Sequence, residues 1–473
     1  MAVVKAVHDH EGEVTGLVQP THVQEEVPAA SRDATLLLGI DGLAVRQVDL
    51  EDGARVVHVA TADESASACP SCGVFSTSLK GRAVTHPRDL PYGEAPIALV
   101  WHKRRWRCRE PQCPRGSFTE SLPAVPPRAR LTTRLRSACG AGVANGFSSV
   151  LAAADHYGLS WPIAHAAFVA HVEPVLAEPI PPVKVIGIDE TRRGKPQWGQ
   201  DEVTGRWTVV HDRWHTAIVD ADGTAGLLAH IDGRTAACVT EWLKAQPDWW
   251  REGVTHVSID LSASYLLAVT DALPHAVVVA DRFHLVALAN TMLTQVRQNA
   301  TRAARGRRGR KNDPEWAGRR KLLTAHERLS PQAFTKLWNA LVHAGDPGIE
   351  ILLAYTVKES LRHLLALSGT DPERAEIRAR LWRLYEQAAA SSSPEVHRFA
   401  ATIETWWPAI EAAITTGYSN ARSEGYNRLA KHQGRNAFGY RNVHNQRRAI
   451  RWACTRQHRR ASTAVSELPA QVR

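Results

Sequence analysis

The amino-acid sequence predicts a multidomain α/β chain: a cysteine-bearing β module first, a helix-turn-helix next, then an α/β domain interrupted by a helical insertion. Three observations carry this. Two close cysteine pairs sit among alternating apolar runs, prolines at 123, 126 and 127 set them apart from a helical stretch, and β-branched runs alternate with helices from residue 183. At 473 residues the chain has room for about three domains. Its 44% hydrophobic and 22% charged residues can bury sizeable cores, which excludes disorder or coiled coil throughout. The 58 Lys+Arg exceed the 48 Asp+Glu for a net charge of +10, and arginine far outnumbers lysine. Planar guanidinium groups suit phosphate, so nucleic acid is the first partner suggested; a GC-rich genome accounts for the arginine equally well.

Residues 1–35 lack periodicity and read as a mobile tail. A β module follows over 36–125. Leu36–Val48 and Ala54–Ala60 alternate and are joined through Glu51-Asp52-Gly53, a hairpin signal. The pairs Cys69/Cys72 and Cys108/Cys113 enclose two and four residues, spacings that let successive thiolates reach one ion from a tight turn. Four such ligands satisfy one tetrahedral Zn²⁺, and a closed Cys₄ set is structural. Ala95–Trp101 reads as a strand between the pairs. Basic residues from His102 to Arg107, including Arg104 and Arg105, interleave with Trp101 and Trp106. They suit a phosphate-contacting surface, or a sheet edge protected by charge. Cys139, Cys238 and Cys454 lie among apolar neighbours as core residues.

The next segment, 128–177, has the outline of a helix-turn-helix. Leu131–Asn145 and Ser149–Tyr157 are helical in pattern, Gly158 stops the second, and Ser160-Trp161-Pro162 opens a third, Trp161–His171. That third helix has no Lys or Arg, only His165 and His171, so base readout there is poor. Arg128, Arg130, Arg134 and Arg136 are the candidates for backbone phosphate contact. A purely structural connector is the alternative.

From 183 to 300 the order is strand, strand, strand, helix, strand, helix, strand. Val183–Asp189 and Val254–Asp260 are strands ending in carboxylates, and Ala276–Ala280 is followed by Asp281. The Asp-Gly of Asp220-Ala221-Asp222-Gly223 is a hairpin turn between the second and third strands. This order matches the ribonuclease-H-like fold, whose first and fourth strands are neighbours, in a sheet running third, second, first, fourth, fifth. Asp189 and Asp260 would then converge on Mg²⁺, which takes hard oxygen ligands; two ions about 4 Å apart, Mg²⁺ or Mn²⁺, can clamp an in-line phosphoryl displacement. Asp281 ends the strand one further out, so Asp281 and His284 are outer candidates that orient a ligand or contact DNA. Residues 301–415 form a helical insertion. It opens on a flexible loop with six cations from Arg302 to Lys311, including Arg307, Arg308 and Arg310, and carries tryptophans at 316, 338, 382, 406 and 407. Residues 416–462 complete the core: on a helix there, Glu424, Asn427, Lys431 and Arg435 share one face, placing a third acid beside an amide and two cations. Residues 463–473 are a second tail.

With those residues in view, the chain resembles the ISL-three family of bacterial insertion-sequence transposases over about 36–460. The resemblance rests on CPSC…WRCREPQC, the helix-turn-helix, GIDE at Gly187–Glu190, SIDLSASY at Ser258–Tyr265, ADRFH at Ala280–His284, and SEGYNRLAKHQGRNAFGYRN at Ser423–Asn442. It implies a DDE transposase that cleaves double-stranded DNA at terminal inverted repeats and joins it to target DNA. Asp189 is then the first acid and Glu424 the third; Asp281 and His284 fit an Asp-x-x-His signature downstream of the second. Gly194–Arg213 lengthens the first connection beyond the expected pattern. A homodimer on DNA, assembled through the insertion, and a cytoplasmic, nucleoid-associated location follow as expectations. So does the absence of a membrane span, since no run of about 18 apolar residues occurs and residues 1–30 are polar and acidic. The competing class is a catalytically inactive repressor using the zinc module and helix-turn-helix alone; intact acids at 189, 260 and 424 favour the enzyme.

Overall fold

A computed structural model describes residues 29–92, 97–192, 194–211, 213–437 and 439–455. The chain divides into two compact units, Met1–His171 and Val172–Arg473.

In the first unit, helix α1 (Ala29–Leu38) packs on the hairpin of β1 (Leu43–Glu51) and β2 (Ala54–Thr61). The expected tail therefore does not reach residue 35: Thr35 Oγ1 accepts the Val45 N–H at 2.8 Å, tying the helix to the sheet. The tail's remaining residues, 1–28, lie outside the described residues. Asp52 and Gly53 both take left-handed φ, 47° and 81°, as a two-residue turn between right-twisted strands requires. With β3 (Leu79–Thr85), β4 (Ile97–Arg107) and β5 (Ser117–Thr119) the sheet runs β1-β2-β4-β3, with β5 also on β4. β4 continues through the whole basic segment and is paired by β2, β3 and β5. It is no protected edge. Trp101 and Trp106 point inward, 0% and 9% exposed, so they are core and not part of a phosphate-facing surface.

Three helices follow, α2 (Thr133–Asn145), α3 (Val150–His156) and α4 (Trp161–Leu176). Thr132 and Ser149 cap the first two by accepting N–H bonds from Leu135 and Ala152. Gly158, at φ 59°, reverses the chain after α3. α4 runs past the expected end at His171 to Leu176, with Pro174 inside it. A Cβ on Gly140 would stand 2.4 Å from the Ala167 carbonyl oxygen, so glycine is what lets α2 and α4 cross this closely.

The second unit is built on β6 (Val185–Arg192), the separate hairpin β7 (Gln197–Gln200) and β8 (Trp207–His211), then β9 (Trp214–Asp220), β10 (Leu227–Asp232), α5 (Ala236–Lys244), α6 (Asp248–Gly253), β11 (His256–Ile259), α7 (Ala263–Ala272) and β12 (Val277–Ala280). The sheet order is β10-β9-β6-β11-β12, the ribonuclease-H-like order, with β6, β11 and β12 parallel. The β9–β10 turn differs from expectation. Its Asp-Gly pair does not close a two-residue turn; the chain wraps around the buried Asp220 carboxylate, which accepts the Gly223 and Ala225 N–H groups at 2.7 and 2.9 Å.

α8 (Arg282–Arg305) leaves β12 directly and enters the insertion, where α9 (Pro314–Ala317) is followed by α10 (Arg319–Leu323), α11 (Pro331–Val342), α12 (Asp346–Leu365), α13 (Arg374–Ala389), α14 (Pro394–Thr405) and α15 (Trp407–Thr416), and α10 to α15 share one apolar core with α8. The cationic loop is held, not flexible: Asp313 binds Arg307 at 2.7 Å and the Arg310 N–H at 2.6 Å, and Arg305 pairs with Glu315 at 3.0 Å. Trp338, Trp406 and Trp407 pack on the insertion's core, while Trp382 is 66% exposed. α16 (Ala421–Asn436) then lies against β6 and β9, and α17 (Val443–Cys454) against β10 and α16. The second tail, 463–473, lies outside the described residues.

α16 can lie on the sheet because Gly187 of β6 has no side chain. A Cβ there would meet Asn420 Oδ1 and Ser423 Oγ, each at 2.4 Å, and both residues are buried. Overpacking of this kind costs about 1–3 kcal/mol. Gly187→Ala should lower Tm by a few degrees while removing far more of any activity that depends on α16, read by thermal melting beside a turnover assay. Equal loss of both would contradict this role.

Candidate active site and metal centre

The four paired cysteines meet. Sγ of Cys69 lies 3.9 Å from Sγ of Cys113, Sγ of Cys72 lies 3.6 Å from that of Cys108, and all four fall within 4.8 Å of one another. Four thiolates about 2.3 Å from one tetrahedral Zn²⁺ stand roughly 3.8 Å apart, so the donor set fits that ion. Each pair sits on a tight turn. Gly73, at φ 75°, returns its N–H to the Cys69 carbonyl at 2.8 Å, and Arg115 Nε donates to Ser71 Oγ at 2.9 Å, joining one turn to the other. Against the effect of burial, the Ser71 and Cys72 backbone N–H groups and neighbouring thiols bring Cys69 down to about 6.

Of the cations expected on DNA, three are already spent. Arg134 Nε binds the buried Asp89 carboxylate at 2.9 Å, and its Nη1 donates to the Leu38 carbonyl at 2.7 Å. Arg104 pairs with the fully buried Glu120 at 2.5 Å, and Arg307 with Asp313. A guanidinium holding a buried carboxylate builds the fold first. Arg105, Arg128, Arg130, Arg136, Arg308, Arg310, Lys311, Lys431 and Arg435 are exposed.

The acids converge at one end of the sheet. Ile188 pairs with Ile259, and Ile259 with Ala280, so Asp189, Asp260 and Asp281 are each the next residue on three neighbouring parallel strands. Such strands lie about 4.8 Å apart. Asp281 caps α8, which brings His284 back one turn later: its Nε2 is 3.2 Å from Asp260 and 3.8 Å from Asp281. Asp260, Asp281 and His284 thus form a cluster with ligand atoms within 4.8 Å. Asp189, Asp260 and Glu424 do not form one among the described residues. Glu424 is 45% exposed and pairs with Arg428 at 3.1 Å.

α16 nevertheless reaches the acids through its buried face. Asn427 Nδ2 donates to Asp189 Oδ2 at 2.6 Å while its Oδ1 accepts from Thr191 Oγ1. Asn420 Nδ2 donates to the Ile188 carbonyl at 3.0 Å. A fourth carboxylate, Glu190, had no role assigned from the sequence. It accepts from the buried Tyr265 hydroxyl at 2.8 Å, which also meets Thr216 Oγ1 at 3.1 Å. The signal was the second acid of Gly187–Glu190, whose neighbours in sequence give no hint of Tyr265.

These carboxylates crowd one low-dielectric site. Burial, then the charges of Asp189, Asp281 and Glu190, push Asp260 up to about 8; burial raises Asp189 as well. Asp260 Oδ1 is buried without a well-aligned hydrogen bond. A buried carboxylate oxygen that meets the His284 ring at 3.2 Å, among further acids, is a donor set for a hard divalent cation.

The family model described as a transposase matches residues 186–450, more than half of the chain. This chain belongs to the ISL3 family of transposases. Two further models match in order: a zinc finger of the transposases of IS204, IS1001, IS1096 and IS1165 over 65–113, and the helix-turn-helix domain of transposase family ISL3 over 120–172. The transposase for insertion sequence element IS1001 of Bordetella parapertussis is 26% identical over 378 residues, 79% of this chain and 85% of its own length. That for IS1557 of Mycobacterium tuberculosis is 30% identical over 260 residues, 51% of this chain and 56% of its own. The solved Drosophila P element transposase strand transfer complex aligns at a TM-score of 0.37 and 9% identity, covering 68% of this chain and 91% of that one, too distant to bear on the fold. Among the described residues of this ISL3 transposase, no helix is long and apolar enough to cross a membrane.

Proposed function

We propose that this chain binds the terminal inverted repeats of its own insertion sequence and, with divalent cations, cuts the DNA there and transfers the strand to a target. The observation that carries the reading is the placement of Asp189 and Asp260 at the same level on adjoining parallel strands, beside the helix that bears Glu424. Asp189, Asp260 and Glu424 would hold two Mg²⁺ or Mn²⁺ ions. Bound there, the ions would activate the attacking oxygen and neutralise charge on the leaving one. Asn427 fixes the Asp189 carboxylate by donating to its Oδ2, Tyr265 steadies Glu190, and His284 lies against Asp260 and Asp281. Glu424, exposed and tied among the described residues only to Arg428, is the member that moves when the site closes. One structural Zn²⁺ on Cys69, Cys72, Cys108 and Cys113 holds the amino-terminal module. Two copies act together on paired DNA ends, in the cytoplasm beside the nucleoid. Three of the insertion's tryptophans serve its own core and Trp316 is covered by Arg297 and Arg319, so exposed Trp382 is the residue left to offer a second copy.

Cation binding should depend on pH with a defined sign. Asp260 is raised from 3.8 to about 8, so the folded, metal-free protein prefers the protonated acid. The stability this preference confers is whole below about pH 4 and is lost as pH rises through about 8. A bound cation must displace that proton, so Mn²⁺ affinity should rise about tenfold per pH unit from roughly 5 to 8 and then level off. Titration calorimetry with Mn²⁺ on the full chain reads this. Binding that is flat with pH, or unchanged in Asp189→Asn plus Asp260→Asn, would overturn the reading.

DNA affinity should fall steeply with salt, by about 0.9 in log–log slope for each phosphate neutralised. Arg130→Gln with Arg136→Gln should reduce that slope by about 2, because both side chains are exposed. Arg134→Gln should instead lower the melting temperature, since it strands buried Asp89. Gel shifts over a salt series, beside thermal melts, separate the two. Interchanged results would contradict these placements.

A further inference from the structure

One turn of α16 beyond Asn427 lies a cavity of ≈ 370 Å³ whose walls include Thr191, Arg213, His230, Lys431, Arg435 and Gln446. Its position follows from contacts already given. Asn427 joins Asp189 to Thr191, so the cavity wall and the acid share one amide. Lys431 and Arg435 come four and eight residues after Asn427, about 6 and 12 Å along the helix, spacings on the scale of successive nucleotides in a strand.

The lining has two kinds of polar group. Lys431 and Arg435 are exposed cations at its rim, with Arg213 half-buried beside them. Deeper in are His230 and Gln446, 6% and 7% exposed; both ring nitrogens of His230 and Oε1 of Gln446 are buried without a hydrogen-bond partner among the described residues. Burial, helped by His215 and Arg447, brings His230 down to about 3, so its ring is neutral, one donor and one acceptor. Buried groups left unpaired are costly, and an unexplained set of them marks a place for a partner. Cations outside and neutral donors and acceptors inside are the complement of a nucleotide, with its charged phosphate and hydrogen-bonding base edge. The volume falls in the small-molecule range of about 300–1,000 Å³, wide enough for one nucleoside and far too small for duplex.

We infer that this cavity receives a single nucleotide swung out of the DNA stack beside the cleaved bond, its phosphate on Lys431 and Arg435 and its base edge on His230 and Gln446. The inference rests on the transposase reading and adds that the enzyme unstacks a base to place its scissile phosphate. Swinging a base out costs stacking and pairing, which these contacts would offset.

The test uses the full chain and duplexes carrying the element's own end, with 2-aminopurine at one position at a time near the cleaved bond and Ca²⁺ in place of Mg²⁺. One position should brighten severalfold on binding. Gln446→Met, close in volume but lacking the acceptor, and His230→Phe, which keeps a ring but loses both nitrogens, should each abolish that brightening and slow cleavage. An abasic site at the same position should restore cleavage to both variants. If wild-type protein nicks the end in Mg²⁺ while no position brightens, the cavity holds no base and the inference falls, with the transposase reading intact. A uniform loss of affinity in the variants without rescue by the abasic substrate would show backbone contact only, and would also overturn it. If a position brightens but no nick forms in Mg²⁺, the cavity stands and the cleavage reading fails.

Discussion

Asp260→Asn should abolish strand cleavage while leaving binding to element ends intact. The change removes one charge at nearly constant shape from the strand end beside Asp189. A loss of three decades in rate corresponds to about 4 kcal/mol of barrier, modest for removing a carboxylate from a two-ion site. Folding should not suffer, because burial and three neighbouring carboxylates already oppose the charge that the substitution deletes. Asp281→Asn should behave differently. Asp281 caps α8 by accepting from the Phe283 N–H, and asparagine caps nearly as well, so the fold is kept. Its strand is one place further from Asp189, and cleavage should remain measurable. Both acids touch His284, so proximity to the histidine does not separate them; the strand order does. Single-turnover cleavage of an end duplex, with a gel shift on the same samples, reads both variants. Should Asp281→Asn prove dead and Asp260→Asn active, the second acid is Asp281.

Removing zinc should unfold the amino-terminal module. Structural Zn²⁺ in small Cys-rich domains contributes on the order of 10 kcal/mol, most of such a module's stability. Cys69→Ser with Cys108→Ser takes one ligand from each turn. The apolar cluster of Cys69, Trp106 and Phe118 beneath the site should then open, and with it the far end of β4. Metal analysis of purified protein should give one zinc per chain, and the double variant should give none and lose affinity for DNA ends. Full zinc retention in that variant, or a stoichiometry near zero in the wild type, would contradict the assignment.

What could be read in the sequence was whatever has a local signature. Buried β-branched strands ended by acids, in their succession with helices, foretold the β10-β9-β6-β11-β12 order, because each element's type is written in its own residues. The cysteine spacing foretold the thiol tetrad for the same reason. What escaped depends on partners distant in the chain. Arg104, Arg134 and Arg307 read as free cations since Glu120, Asp89 and Asp313 meet them only after folding. Trp101 and Trp106 read as part of a charged surface because they stand five residues apart on no common alternation and bury in two separate clusters. The cluster of Asp260, Asp281 and His284 forms because α8 begins at the strand end, a geometry that spacing alone does not state. Glu190 gained its place from Tyr265, 75 residues on. Helix α1 was missed because its apolar face is short: Ala34 and Leu38 pack on the core beneath the sheet, and Ser31 and Thr35 hydrogen-bond to Arg46 and Val45 of β1.

The most direct test of the account is to incubate purified protein with duplex carrying its own element end and Mg²⁺, then map the product termini at single-nucleotide resolution. The protein should make one nick at the element's 3′ end that leaves a 3′-hydroxyl, requires the cation, and is lost in Asp189→Asn, Asp260→Asn and Glu424→Gln. Specific binding of the end without any nick in Mg²⁺ or Mn²⁺, or a nick that survives Asp189→Asn, would contradict it.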